Sequence, residues 1–275
     1  MNSLAKLPLE FPFPDHIKTV ICCDLDETYI PFESKNKPKG GVELLEEFLC
    51  SEGSHKGMLL GWITGTNRES ALRKAHNYIK RSPNFICCSL GTEFYWIKGG
   101  VLTPSDSWKK RIIQSGYEES KIFNIVKLAK DNGIDLVKQP DDYQGDFKKS
   151  FYYTINESMD ADFAWLKEAA KQASSRVVFT RCNPAAGDPE DCFDVEFIPT
   201  CCGKDETVSF IIDELNVKKD SIYAFGDSCN DFPMFKRSGH GYLVSNADPE
   251  AVKQHGTNLD KPYCHGILSV LKGIK

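Results

Sequence analysis

The sequence has no apolar stretch long enough to span a bilayer, so no membrane segment is expected. It has no excess of positive charge: 34 Lys and Arg stand against 39 Asp and Glu, a formal net charge of −5. Bulk electrostatics therefore give no support to a nucleic-acid partner. Met1 to His16 carries Pro and Phe but no cationic region followed by an apolar block, so no signal peptide is expected and a cytoplasmic location follows. There is no internal repeat and no low-complexity segment. The six histidines show no paired metal spacing. No CxxC spacing occurs, which argues against structural zinc and against a thioredoxin-type redox centre. The eleven cysteines are an odd number and include the adjacent pairs Cys22-Cys23, Cys87-Cys88 and Cys201-Cys202. Neighbours on a strand point to opposite faces and do not bridge easily, so these read as small buried hydrophobes in a reducing setting.

What the sequence does have is a set of short apolar runs, each ended by a polar or glycine-rich switch. They are Thr19–Cys23, Met58–Thr64, Phe85–Ser89, Ile222–Phe225 and Tyr242–Val244. Runs apolar on both faces predict strands of a parallel sheet. Helical periodicity lies between them, over Val42–Cys50, Arg68–Ile79, Glu206–Leu215, Pro249–His255 and Ile267–Lys275. Strand, switch and helix in repetition predict a doubly wound, Rossmann-like α/β fold, in which ligands bind at the carboxyl ends of the strands. The middle follows another order. Helices are predicted over Tyr117–Lys130 and Asp160–Ala173, and strands over Ile134–Lys138, Ser150–Ile155, Arg176–Thr180 and Cys192–Ile198. The last alternates Phe193, Val195 and Phe197 with Asp194 and Glu196, as an antiparallel sheet with one covered face requires. An α+β domain, residues 99–199, is therefore expected as an insert in a core of residues 1–98 and 200–275, with Gly99-Gly100 and Cys202-Gly203 as hinges.

The first apolar run delivers Asp24-Leu25-Asp26-Glu27-Thr28, and the run at Ile222 delivers Gly226-Asp227-Ser228-Cys229-Asn230-Asp231. Carboxylates beside buried strands cost several kcal/mol in desolvation unless a cation or hydrogen bonds compensate. Acids converging from two distant segments suggest a hard, oxygen-seeking cation such as Mg²⁺. Thr64-Gly65 ends the second strand, and Lys204 follows a turn after the insert. This set fits phosphoryl transfer. A carboxylate can attack phosphorus while a divalent cation screens the repulsion. A lysine and a hydroxyl can hold the phosphoryl oxygens, and a second carboxylate two residues on can serve the leaving oxygen.

Together these four motifs resemble the haloacid dehalogenase (HAD) superfamily of phosphatases. The resemblance implies that Asp24 is the nucleophile and Asp26 the general acid and then base. It implies that Thr64 and Lys204 bind the phosphoryl group with Gly65 and Asn230, and that Mg²⁺ sits on Asp24, the Asp26 carbonyl and Asp227 with Asp231 in support. The place and order of the insert resemble a C2B cap. A closer resemblance, carried by DLDETYIPF, GWITGTNRES, SLGTEFYW, FKKSFYY, RCNPAAGDPEDCFDVEFIP and FGDSCNDFPMF, covers nearly the whole chain. These segments look like the sucrose-phosphatase-like branch and, within it, like the kanosamine-6-phosphate phosphatases of bacilli. The implied substrate is a small sugar phosphate, with kanosamine 6-phosphate first and a sucrose-phosphatase-like or broad hexose-phosphate phosphatase as the alternative.

The sugar would be read by residues that also have bland roles. Arg181, Asn183 and Asp188 can grip sugar hydroxyls or stabilise a turn. Lys148 can reach the substrate or be half of a solvated pair with Lys149. Glu93 can accept a hydroxyl or an ammonium, or cap a helix. Thr66 and Asn67 can face the substrate from a helix N-terminus, or simply cap it. Two other classes share the motifs: a phosphosugar mutase with the same aspartyl-phosphate, and a silent sugar-phosphate sensor, which would need no general acid at Asp26. The oligomeric state is not legible.

Overall fold

The computed structural model describes residues 7–31, 41–182, 184 and 187–274. The chain divides into two compact units, one running to Ser105 and resuming at Lys204, the other Asp106–Gly203.

The first unit is built on a sheet ordered β11-β10-β1-β2-β3-β4-β5. Its strands are β1 (Thr19–Cys23), β2 (Met58–Ile63), β3 (Phe85–Cys88), β4 (Glu93–Lys98), β5 (Val101–Pro104), β10 (Ile222–Gly226) and β11 (His240–Leu243). From β11 to β3 all pairings are parallel. Every residue of β1, β2 and β3 is buried, which is why they read as unbroken apolar runs. The helices are α1 (Val42–Phe48), α2 (Arg68–His76), α6 (Lys204–Leu215), α7 (Phe232–Arg237), α8 (Pro249–His255) and α9 (Tyr263–Leu271). The chain leaves β1 toward β2 and β3 on one side and returns to β10 and β11 on the other. The crevice at the tip of β1 is thus the topological switch point, where a doubly wound sheet binds its ligand.

The stretch Leu90-Gly91-Thr92-Glu93 after the third apolar run reads as a switch, but Glu93 opens β4, and β4 and β5 form an antiparallel hairpin. Gly99 and Gly100 are its two-residue turn, at φ 61° and 71°. Left-handed backbone at both positions is what a tight hairpin turn demands and what glycine supplies without strain. They are therefore a turn rather than a hinge, and because β5 stays paired to β4 the first unit runs on to Ser105 instead of ending at residue 98. At the other end the insert extends past Pro199 to Gly203, since Thr200 N still donates to Ser174 O at 3.3 Å.

The second unit pairs β6 (Val137–Lys138), β7 (Lys149–Thr154), β9 (Cys192–Pro199) and β8 (Ser175–Arg181) in the order β6-β7-β9-β8, all antiparallel. Its helices are α3 (Asp106–Gln114), not anticipated from the sequence, α4 (Glu119–Asp131) and α5 (Met159–Gln172). Ile122, Ile125 and Ala129 of α4 and Leu166 and Ala170 of α5 share one core with Phe151, Tyr153, Val195 and Phe197. By strand alternation Ser150, Tyr152, Asp194 and Glu196 lie on the opposite face, where Ser150 pairs with Glu196 and Tyr152 with Asp194.

Candidate active site

Asp24 follows the last residue of β1, and its N–H still donates to Phe225 O at 2.9 Å, continuing the ladder to β10. It is only 7% exposed. The chain then turns: Tyr29 N and Ile30 N both donate to Leu25 O, at 3.0 and 2.9 Å, around a left-handed Glu27 at φ 58°. Beyond β10, Asp231 is wholly buried and closes a capping box with Ser228. Its Oδ2 accepts from Asp227 N at 3.0 Å and Ser228 N at 3.1 Å. Gly226 makes this fold-back possible, because a Cβ there would lie 2.2 Å from Asp231 Cγ.

Lys204, the first residue of α6, ties the two acidic segments together. Its Nζ lies 3.0 Å from Asp24 Oδ1 and 2.6 Å from Asp231 Oδ1, and donates to Asn230 Oδ1 at 2.9 Å. Burial alone would push this ammonium down, but Asp231 and Asp24 hold it well above the usual lysine range. The acids respond in the other direction. Burial pushes Asp24 up to about 7, with Lys204 opposing and the Asp231 and Asp26 charges adding to the rise. Burial and the charges of Asp24 and Asp231 push Asp227 up to about 8, against the Thr28 hydroxyl, which donates to Asp227 Oδ1 at 2.9 Å.

Asp24, Asp227 and Asp231 can each turn a carboxylate oxygen to within 4.8 Å of the others. This donor set fits a hard divalent cation: it is all oxygen, with Asp24 and Asp231 buried and Asp227 partly so, and the burial and like charges that raise Asp24 and Asp227 are what a bound cation would relieve. Both Asp231 oxygens already accept hydrogen bonds, from Lys204 Nζ and Asp227 N.

Asp26 stands apart from that cluster. Its Oδ2 accepts from Thr66 Oγ1 at 2.9 Å, and Lys74 Nζ donates to both oxygens at 3.0 Å. Thr64 is buried after β2, with its N–H on Cys87 O at 2.9 Å and its Oγ1 accepting from Thr66 N at 3.1 Å. Gly65 sits against the Leu90 side chain. The Thr66 hydroxyl therefore serves Asp26, and Asn67 is the N-cap of α2, its Oδ1 accepting from Ser70 N at 2.9 Å. The capping alternative for Asn67 is the one its side chain adopts.

Glu93 accepts from Ser89 Oγ at 2.9 Å and Tyr95 OH at 2.6 Å, with Arg68 Nη1 4.0 Å away. In the second unit, Lys148 is nearly buried and pairs with Glu196 at 2.9 Å, rather than lying solvated beside Lys149. Arg181 is exposed, pairs with Asp191 at 3.0 Å and stacks its guanidinium 5.5 Å from the Phe193 ring centre. Asp188 lies close enough to Tyr152, Cys182 and Asp194 for its charge to act on all three. Asn183 lies outside the described residues. The structure thus gathers Asp24, Asp26, Thr66, Lys204, Asp227, Asn230 and Asp231 at the switch point.

Sequence reasoning missed Lys74 and the hydrogen-bonding role of Thr28. Thr28 stood inside the quoted motif. Lys74 had only a faint signal: a cation beside Ala75 and three residues after Ala71, the two buried alanines of α2. Among the described residues no helix is long and apolar enough to cross a membrane.

Comparison with known proteins agrees with this fold. The family model for sucrose-6F-phosphate phosphohydrolase matches residues 17–274. Kanosamine-6-phosphate phosphatase of Bacillus subtilis (strain 168) is 33% identical over 263 residues, covering 94% of this chain and 93% of that protein. The crystal structure of yhjK, a haloacid dehalogenase-like hydrolase from Bacillus subtilis, superposes with a TM-score of 0.78 at 31% identity, covering 98% of this chain and 95% of that one. The sucrose-phosphatase of Synechocystis sp. PCC6803, solved with sucrose and phosphate, gives a TM-score of 0.70 at 19% identity, covering 94% and 98%. The expected HAD architecture is therefore the observed one, and the chain is a phosphoric monoester hydrolase belonging to the sucrose-6F-phosphate phosphohydrolase family.

Proposed function

We propose that the protein is a Mg²⁺-dependent sugar phosphatase that hydrolyses kanosamine 6-phosphate through an aspartyl-phosphate on Asp24. The observation that carries the chemistry is the buried Asp24 carboxylate held 3.0 Å from Lys204 at the tip of β1. A fixed, desolvated carboxylate beside a cation is prepared to attack a phosphoryl group and to have the developing charge stabilised.

In the first half-reaction an Asp24 oxygen bonds to phosphorus. The P–O bond to the sugar breaks, and its electron pair stays on the sugar oxygen, which takes a proton from Asp26. In the second, water gives a proton to Asp26 while its oxygen bonds to phosphorus. The bond from Asp24 to phosphorus breaks, and its pair returns to the carboxylate. Lys204, Thr64, Gly65 and Asn230 hold the phosphoryl oxygens. Asp24, Asp227 and the Asp26 carbonyl would hold Mg²⁺, with Asp231 in support; when bound, it supplies the positive charge that lets a carboxylate and a phosphate approach.

The amino sugar is supported by the 33% identity to the Bacillus phosphatase. Glu93, Lys148, Arg181, Asn183 and Asp188 are the groups that the resemblance assigns to the sugar, and a carboxylate among them would gain from a substrate ammonium and much less from a hydroxyl. A cytoplasmic location belongs to the same reading, supported by eleven free cysteines. The test is phosphate release from kanosamine 6-phosphate and glucose 6-phosphate. The expected ratio of kcat/KM is at least ~10²-fold, or ~2.7 kcal/mol of discrimination. Equal values would leave a broad hexose-phosphate phosphatase.

A further inference from the structure

We infer that Lys74 is a positioning residue that aims the Asp26 carboxylate, an inference that rests on the acid–base reading of Asp26 above. Lys74 Nζ donates to both Asp26 oxygens at 3.0 Å, and the Thr66 hydroxyl adds a third bond to Oδ2 at 2.9 Å. The Asp26 side chain is a quarter exposed, so without these partners water would compete for it in many orientations. Lys74 is placed by a helix that is itself fixed. The Asn67 cap pins the start of α2, and Ala71 and Ala75, both fully buried, hold its inner face. The same carboxylate must meet the sugar oxygen in the first half-reaction and the attacking water in the second. Proton transfer works at hydrogen-bond distance and loses rate steeply with misplacement. A single held orientation serves both steps.

The experiment compares wild type, Lys74→Met, Lys74→Arg and Asp26→Asn, each checked for folding by circular dichroism. The substrates are p-nitrophenyl phosphate and whichever of glucose, glucosamine and kanosamine 6-phosphates wild type turns over fastest. For the sugar phosphate, Lys74→Met is expected to lower kcat ~10- to 50-fold with KM within ~3-fold, and Lys74→Arg to recover most of the loss. p-Nitrophenolate leaves without a proton. Its first-turnover burst in stopped flow should therefore stay within ~3-fold of wild type, while later turnovers slow because water still needs Asp26. An unchanged kcat in Lys74→Met, or burst and sugar-phosphate rates falling together, overturns the inference. Activity retained in Asp26→Asn overturns the acid–base reading beneath it. An inactive Asp26→Asn beside a normal Lys74→Met removes only the role of Lys74.

Discussion

Loading the metal-free enzyme with Mg²⁺ should release protons, and the apparent affinity should climb with pH. Asp24 at about 7 and Asp227 at about 8 stand far above the ordinary 3.8. Between roughly pH 4 and the raised values, the unfolded chain has ionised these acids while the metal-free fold still holds protons on them. The native state then binds more protons than the unfolded one. Stability of the metal-free protein must fall as pH rises through that window, by up to ~1.4 kcal/mol per pH unit for each proton held. Because the two acids repel one another, the steps belong to the pair. A cation bound between them removes the cause and displaces what they hold. With both protons displaced below about pH 7, the apparent dissociation constant should fall up to ~100-fold per unit, or ~10³-fold from pH 5.5 to 7. In excess Mg²⁺ that difference is worth up to ~4 kcal/mol of extra stabilisation at the higher pH. Calorimetric titration at pH 6, in two buffers of different ionisation enthalpy, should show about two protons released per ion. Heats that do not depend on the buffer, with an affinity flat from pH 5.5 to 8, would refute the claim that these acids wait protonated for the metal.

Asp24→Asn keeps the shape of the nucleophile and removes its charge. It should fold, lose at least ~10³-fold in kcat, and give no phosphorylated protein by mass spectrometry after a quench; a folded variant with most of its activity would end the covalent mechanism. Gly226→Ala would drive a methyl group into Asp231, 2.2 Å from its Cγ, and so disturb the partner of Lys204. Because breaking a buried ion pair typically costs ~3–5 kcal/mol, chemical denaturation should show a loss of that order, and a change below ~1 kcal/mol would mean that the loop adapts.

The strand-tip acids were legible because burial leaves a strong local trace. Val20–Cys23 cannot face water, so Asp24 after them had to be a buried charge with a purpose. The same logic exposed Asp227, and the alternation of Phe193–Phe197 gave the covered face of the second sheet. The Gly99-Gly100 pair was ambiguous because glycine serves a hinge and a hairpin turn equally well. Only the pairing of β4 with β5 decides between them. Asn67 was ambiguous in the same way, since Asn is a good N-cap wherever a helix starts, ligand or none.

What the sequence withheld was the wiring between legible groups. Lys204 meets Asp231 across 27 positions, Lys74 meets Asp26 across 48, and Thr28 meets Asp227 across 199. Sheet order sets the last of these, because β1 lies beside β10 and groups at their tips become neighbours whatever their distance along the chain; the two lysines are brought in by the helices α6 and α2. A motif names which side chains reach a tip. It does not say which cation faces which acid. Asp24 shares Lys204 with Asp231 inside the acidic cluster, while Asp26, two residues on, is drawn toward α2 by Lys74 and Thr66. Two carboxylates so close in sequence have different partners because different helices hold them, and the proposed division between nucleophile and acid–base rests on that difference.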